Sequence, residues 1–451
     1  MTSTTDRTGT ADTTADRERG AAPATPRSGT AAPTAPADHA GLRERFAPLL
    51  EEIASGAAER DRERRLPHAE VRALADAGFT AVTVPVAQGG HGVGIETFFL
   101  LLIDLGEADS NLPQLLRAHF SHVEELLREE DDPDAARRLE AIAGGVVIGN
   151  ASHERSTATV GDLVTTVAPD GDGYRLDGEK HYSTGSLFAD WIDVSARTAD
   201  GGRARVTVRA DAPGVTLRDD WDGFGQILTG SGSTLFEGVQ VAADQVRVRP
   251  QGGDGQPTTQ TSFLQLVLLS SLVGVGRAAL RDAVGFVRTR TRVYSQGSGA
   301  TAAQDPLVQQ VIGRISARVA AAEDAVLAAA RALEVARTAP EEEREALIDA
   351  AELRTIQAQL TAVPDVLSVT TELFEVGGAS ATSTARALDR HWRNARTLSS
   401  HNPVIYQERA IGDRILNGTG LLYFWSTGET SKGGRASGDG ETATGSETAD
   451  D

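Results

Sequence analysis

The feature that most constrains this chain is a double change in the spacing of its apolar residues. From about residue 40 to 144 they recur at helical period, as in "LRERFAPLLEEIASGAAERD", "IETFFLLLIDLGEADS" and "LPQLLRAHFSHVEELLREE". Pro67 near the start of the second helix and Gly78 at its end are the expected punctuation. The period then shortens to two through "DWIDVSARTADGGRARVTVRA" and "STLFEGVQVAADQVRV", with Asp-Gly and Gly-Gly turn signals between the runs. That pattern predicts an antiparallel β-domain. Helical spacing returns afterwards, with long segments near 263–294, 305–337, 345–376 and 404–416. The predicted class is α+β, mostly α. No internal repeat is present.

The boundaries expected from these shifts are an N-terminal helical domain over 39–144, a β-barrel-like domain over 145–248 and a Gly/Pro/Gln/Thr linker over 249–262. A C-terminal helix bundle over 263–424 follows. The flanks, 1–38 and 425–451, are poor in apolar side chains and are expected to be disordered, because they cannot bury enough surface to offset chain entropy. Lys and Arg number 44 against 64 Asp and Glu, a net charge of −20, which argues for solubility and against nucleic-acid binding. The apolar run "FLQLVLLSSLVGVG" is too short for a membrane span and reads as a buried helix. The N-terminal region lacks a signal-type apolar stretch, so the expected location is the cytoplasm. The absence of cysteine excludes disulfides, thiolate metal sites and a Cys nucleophile.

Four stretches at the joints of this pattern carry a resemblance. They are "VPVAQGGHGVGIETF", "GYRLDGEKHYSTGSLFADWIDVSART", "FEGVQVAADQV" and "ELFEVGGASATSTARALDRHWRNAR". Together they resemble the acyl-CoA dehydrogenase family over roughly residues 40–417. The resemblance implies an N-terminal helical domain, a central antiparallel β-domain, a C-terminal four-helix bundle, a flavin between the last two, and a homotetramer. In the dehydrogenases, the pattern matched by "RNAR" leads to a Glu that removes the substrate α-proton. Here that position falls on Asn402 and the preceding Tyr on His401. An amide cannot take that proton near neutral pH. No acidic residue lies between Asp254 and Asp282 to replace it from the first C-terminal helix.

"HWRNARTLSSHNPV" and "TRTRVYSQGSGATAAQDPLVQQVIG" are instead similar to the reduced-flavin-dependent monooxygenase branch of the superfamily. That branch implies FMNH2 supplied by a separate reductase, with FAD the less favoured cofactor. It also implies O2 added at flavin C4a and one oxygen atom passed to a small apolar substrate. An organosulfur compound is the first expectation and an amine the second. The other readings are an acyl-CoA dehydrogenase-like oxidation with a different base, and a non-catalytic flavin-fold binding protein.

On this resemblance His401 is the proton-handling group, since imidazole exchanges a proton near neutral pH. Ser183 faces flavin N5, with His181 and Tyr182 beside the ring. Asn150, Ser152 and His153 line its pyrimidine side, and the loop "HERSTATVGD" is a possible lid. Trp221 covers a ring face or the phosphate end, Thr229 and Ser231 supply hydrogen bonds, and Asn402 borders the cofactor. Arg290, or else Arg292, binds the flavin phosphate through its two-pronged guanidinium. Gly378 and Ser380 belong to a turn approaching a neighbouring subunit's cofactor. His119 lines the pocket or packs a helix. His119 and His122 lie three apart without a supporting carboxylate pattern, so no metal site is expected. The Gly-rich "QGGHGVG" is not a phosphate loop, and no Gly-x-Ser-x-Gly elbow occurs.

Overall fold

The computed structural model describes residues 38–129, 132–155, 162–249 and 256–423. The two tails expected to be disordered lie outside the described residues, apart from Asp38. That residue belongs to the fold, because its side chain accepts from the Gly41 amide and caps the first helix.

Six helices come first: α1 (His39–Glu63), α2 (His68–Ala77), α3 (Ile95–Ala108), α4 (Asn111–Leu115), α5 (Arg117–Leu126) and α6 (Pro133–Ala143). Eight strands follow: β1 (Ile148–Ala151), β2 (Thr166–Asp170), β3 (Gly173–Lys180), β4 (Trp191–Thr198), β5 (Arg203–Arg209), β6 (Val215–Leu217), β7 (Thr234–Val241) and β8 (Val246–Arg249). The chain closes with α7 (Thr259–Thr289), α8 (Pro306–Arg337), α9 (Glu341–Glu372), α10 (Asp389–Ser400) and α11 (Val404–Asn417).

The strands form one sheet in the order β6-β7-β3-β2-β4-β5-β8, with β1 added beside β4. Strict alternation buries every second residue of β5, so Ala204, Val206 and Val208 join Val167, Leu176, Ile192, Val194 and Phe236 in the sheet's own core. The expected antiparallel sheet needs one correction: β4 pairs in parallel with both β1 and β2. A period of two reports which face a residue occupies, not the direction of its neighbour.

The helical core is separate. Phe46, Phe79, Phe98, Phe99, Phe120 and Phe263 are almost fully buried in it, each worth about 1.5–3 kcal/mol in removed apolar surface. Helix α7 runs through its centre, packed against α3, α8, α9 and α10. It is long and apolar enough to cross a membrane, yet most of its apolar stretch is buried inside the protein. The helix also begins earlier than the expected linker allows. Thr258 accepts from the Gln260 amide, so Thr259–Ser262 are already helical. Helices α7 to α10 make the bundle, and α11 packs along α9.

Candidate active site

The first wall of the site is built where β1 and β3 run out. Beyond their ends an isolated bridge joins them, in which the His181 amide donates to the His153 carbonyl at 2.8 Å. Tyr182 then turns the backbone with φ 56°, a left-handed conformation that side chains rarely adopt. The turn is held from several sides. The Ser183 amide donates to the Gly232 carbonyl. Thr229 Oγ1 donates to the Gln226 carbonyl at 2.8 Å, and Ser231 Oγ lies 2.7 Å from Thr229 Oγ1 and 2.8 Å from Thr184 Oγ1. Since the Thr229 proton is taken, the chain runs from Thr184 to Ser231 to Thr229. Gly185 has φ 83° and sits where a Cβ would run into the Leu115 carbonyl, which brings the turn against the end of α4.

Within this brace, Ser183 Oγ is buried and has no partner among the described residues. A row of rings flanks the turn. His153 lies 5.3 Å from Tyr182, Tyr182 lies 6.0 Å from Trp221, and the Arg155 guanidinium is 5.0 Å above Tyr182. His181 Nδ1 is 3.1 Å from Ser233 Oγ, which donates to Asp220. Ser152 Oγ donates to Asn150 Oδ1 at 2.8 Å. Beneath them Lys180, fully buried, pairs with Glu154 at 2.6 Å, and Glu154 also accepts from the amides of Val164 and Thr165. Burial pulls the Lys180 pKa down, against the bond to Glu154.

The second wall is the junction of α10 and α11 with the start of α5. His401 Nε2 lies 3.5 Å from Arg117 Nη1, and its Nδ1 lies 3.2 Å from Asn402 Oδ1. A guanidinium only donates, so Nε2 is the bare nitrogen and Nδ1–H donates to Asn402. Asn402 is itself fastened: its Nδ2 donates to Gln265 Oε1 at 2.5 Å, and its carbonyl accepts from Gln359 at 2.8 Å. His401 is exposed at the surface, with its ring packed beside the Arg117 and Asn402 side chains. The surrounding protein atoms, the Arg117 charge and nearby His153 hold its pKa well below the usual imidazole range. The ring is neutral at pH 7.

The two walls are clamped together by the motif that suggested a flavin enzyme. Asn394 of "RNAR" accepts from the Gln226 amide at 2.7 Å, and Arg393 pairs with Asp61 and Asp389 while donating to the Phe224 carbonyl. Gly225 allows the contact, since a Cβ there would collide with the Arg393 carbonyl.

Two family descriptions match this chain: the acyl-CoA dehydrogenase N-terminal domain over residues 36–133 and the C-terminal domain over residues 266–405. This chain belongs to the acyl-CoA dehydrogenase superfamily. Among its relatives is the dibenzothiophene monooxygenase of Mycolicibacterium goodii, 29% identical over 377 residues that cover 80% of this chain and 89% of the relative. The probable FMNH2-dependent monooxygenase SfnC of Pseudomonas putida is 28% identical, covering 82% and 93%. The crystal structure of FMN-bound TdsC from Paenibacillus sp. A11-2 superposes with a TM-score of 0.76 at 28% identity, covering 84% of this chain and 98% of TdsC.

An acyl-CoA dehydrogenase fold with these walls suits a flavin. The orphaned Ser183 hydroxyl offers a ring edge the partner it lacks, and the His153–Tyr182–Trp221 row offers apolar faces. Ser183, His153, Tyr182, Trp221 and His181 cluster on the first wall. Asn150 and Ser152 stand beside it, and His401 is close enough for His153 to act on its charge.

Other expectations need correction. His119 is not a cleft residue by its ring atoms: Nε2 donates to the Thr80 carbonyl at 2.9 Å and Nδ1 accepts from the Ile148 amide at 3.2 Å. It packs the helices onto β1. Asn402 donates to Gln265 and accepts from His401, so its side-chain amide is engaged within the protein. The protons of Thr229 and Ser231 are spent within the turn brace. Arg290 donates to the carbonyls of Val376 and Gly377 and to that of Arg292, so it pins the turn leading into Gly378 and Ser380. Among the described residues, no hydrogen bond joins that group to either wall. Residues 156–161 of the expected lid lie outside the described residues. His122, Glu125 and Asp193 bring ligand-type atoms within 4.8 Å of one another, but Arg205 binds both carboxylates there. An open cavity of about 610 Å³ between Asp61, Phe374, Ala381 and Arg393 contains none of the sequence-predicted residues.

Arg117, Asn394 and Gln226 were missed. Only Asn394 carried a signal, as part of the "RNAR" motif.

Proposed function

We propose that this chain is the oxygenase of a two-component system, taking FMNH2 from a separate flavin reductase and oxygenating a small organosulfur substrate. The relatives' names support the reaction class. The overall change is substrate plus FMNH2 plus O2 giving oxygenated substrate, FMN and water. Reduced FMN, when bound, supplies both electrons and the position at which O2 is activated.

The observation that carries this reading is His401. A neutral imidazole with a bare Nε2 stands directly before Asn402, the position where a dehydrogenase needs a carboxylate, and among the described residues no Asp or Glu oxygen contacts His401, Arg117 or Ser183. Nε2, held in its basic form by Asn402, can take a proton once its long contact with Arg117 gives way, while Asn402 keeps the ring in one tautomer. Ser183 Oγ hydrogen-bonds the ring edge, and Tyr182 and Trp221 keep water from the reacting face. We place the enzyme in the cytoplasm as a homotetramer. Exposed Ile405, Tyr406, Ile415 and Leu416 on α11 favour association.

The test uses the purified chain, anaerobically loaded with FMNH2 and mixed with 18O2 and an aryl sulfide. Oxygen-18 in the sulfoxide is expected. His401→Ala should lose product at least ~100-fold with FMN affinity within about 3-fold. Oxygen drawn from water, or full turnover by the variant, would overturn the reading.

A further inference from the structure

One turn of α7 reaches both nitrogens of the His401 ring. On one side, Arg117 Nε donates to the Leu264 carbonyl at 3.0 Å, and Arg117 Nη1 lies 3.5 Å from His401 Nε2. On the other, His401 Nδ1 lies 3.2 Å from Asn402 Oδ1, and Asn402 Nδ2 donates at 2.5 Å to Oε1 of Gln265, the residue after Leu264. The circuit closes on two consecutive residues of a core helix. Gln265 and Gln359 are both buried in the bundle, next in sequence to the core residues Leu266 and Ala358. A buried amide is tolerated where it is hydrogen-bonded. Both amides bond to the same residue, since Gln359 Nε2 donates to the Asn402 carbonyl at 2.8 Å. The Gln359 contact holds the Asn402 backbone. The Gln265 contact holds the direction of its side-chain amide.

The ring is neutral and has one proton to place. Two arrangements compete for it. In the first, Gln265 Oε1 accepts from Asn402 Nδ2, Asn402 Oδ1 accepts from His401 Nδ1–H, and the bare Nε2 faces Arg117, which only donates. In the second, both carboxamides are turned over. Asn402 Nδ2 then donates to His401 Nδ1, and the proton sits on Nε2, where it meets Arg117 donor against donor. Only the first gives every donor an acceptor. Its direction is set at one end by a guanidinium and at the other by the Gln265 oxygen.

We infer that Gln265 is a positioning residue for the oxygenation: by accepting from Asn402 it keeps the His401 proton on Nδ1 and leaves Nε2 as the basic atom. This rests on the oxygenase reading and deepens it, because it adds the group that decides whether the imidazole is a base at the nitrogen that needs to be one. A ring nitrogen is protonated or bare according to the bond that the other nitrogen makes, and the partner of that bond has to be oriented in turn. Without an acceptor at Gln265, the Asn402 amide is free to turn and the proton to occupy either nitrogen.

The experiment labels the full chain with 15N-histidine and reads the 9 imidazoles by solid-state nitrogen NMR at pH 7.5, with the His401 signals assigned by their loss in His401→Gln. Protonated and bare ring nitrogens resonate far apart, so the spectrum reports which atom carries the proton. Wild type should carry it on Nδ1. Gln265→Met, similar in length but without an acceptor, should move it at least in part to Nε2. The same variant should lower kcat about 10- to 100-fold, with KM for the aryl sulfide and FMN affinity within about 3-fold. Gln265→Glu keeps an acceptor at the same length and should return the proton to Nδ1 and most of kcat with it. Gln359→Met removes an equal buried amide from the same residue and should leave the proton on Nδ1. A wild-type proton on Nε2, or an unmoved proton in Gln265→Met, overturns the proposal. Equal movement in Gln359→Met also overturns it, because the effect would then be one of packing. If Gln265→Met does not fold, wild type and Gln265→Glu decide, since a proton away from Nδ1 in either refutes the role. A proton position that depends on Gln265, with no oxygen-18 in any product, would keep the circuit and refute the oxygenase reading alone.

Discussion

Replacing His119 with leucine separates a structural imidazole from a catalytic one. The wild-type ring is fully buried, with Nε2–H on the Thr80 carbonyl and Nδ1 accepting from the Ile148 amide. Leucine fills similar space but leaves both backbone groups without a partner. At about 1–3 kcal/mol each, the variant should be less stable by about 2–6 kcal/mol at pH 7.5. Acidification supplies a second, opposite signature. Burial lowers the His119 pKa from 6.5 to about 4. The unfolded chain therefore takes up a proton below about pH 6.5, whereas the folded chain does so only near pH 4. The stability of the neutral ring is complete above pH 6.5 and is lost as pH falls through that window, about 1.4 kcal/mol per pH unit and about 3 kcal/mol in all. His119→Leu has no such loss, so the gap between the proteins should narrow from pH 7.5 to pH 4.5. Urea unfolding followed by tryptophan fluorescence at several pH values measures it. Unchanged stability with collapsed turnover would return His119 to the cleft, and a gap that widens on acidification would refute the assigned proton.

Ser183→Ala removes a hydroxyl with no protein partner, so stability should change by less than about 0.5 kcal/mol. FMN affinity should fall by about 5- to 10-fold, as expected for one lost hydrogen bond, and more of the O2 consumed should appear as H2O2. A clear loss of stability with intact FMN binding would contradict this. Asn402→Glu puts a carboxylate against Gln265 Oε1 and replaces the amide acceptor that orients His401 by a longer, charged one. Turnover should drop by at least about 10-fold without any acyl-thioester oxidation appearing. Wild-type turnover in that variant would show that the position of the His401 ring set by Asn402 does not matter.

The chain's local pattern determined its layers. Helical spacing, then alternation in runs such as "RARVTVR", then helical spacing again specifies the order of elements, because each period states which face of an element is apolar. The resemblance carried by the motifs, not the periodicity, pointed to the Ser183 turn after β3 and to the missing carboxylate at Asn402. The local pattern could not say which strand lies beside which in what direction, hence the parallel pairs of β4. Nor could it say where side chains end. His119 finds partners 39 and 29 residues away, and Arg117, indistinguishable in "LLRAHF" from any helix-surface arginine, meets His401 across 284 residues. Periodicity is a property of neighbours along the chain. Whether a charge is solvated or paired depends on groups that only the folded chain brings within hydrogen-bonding distance.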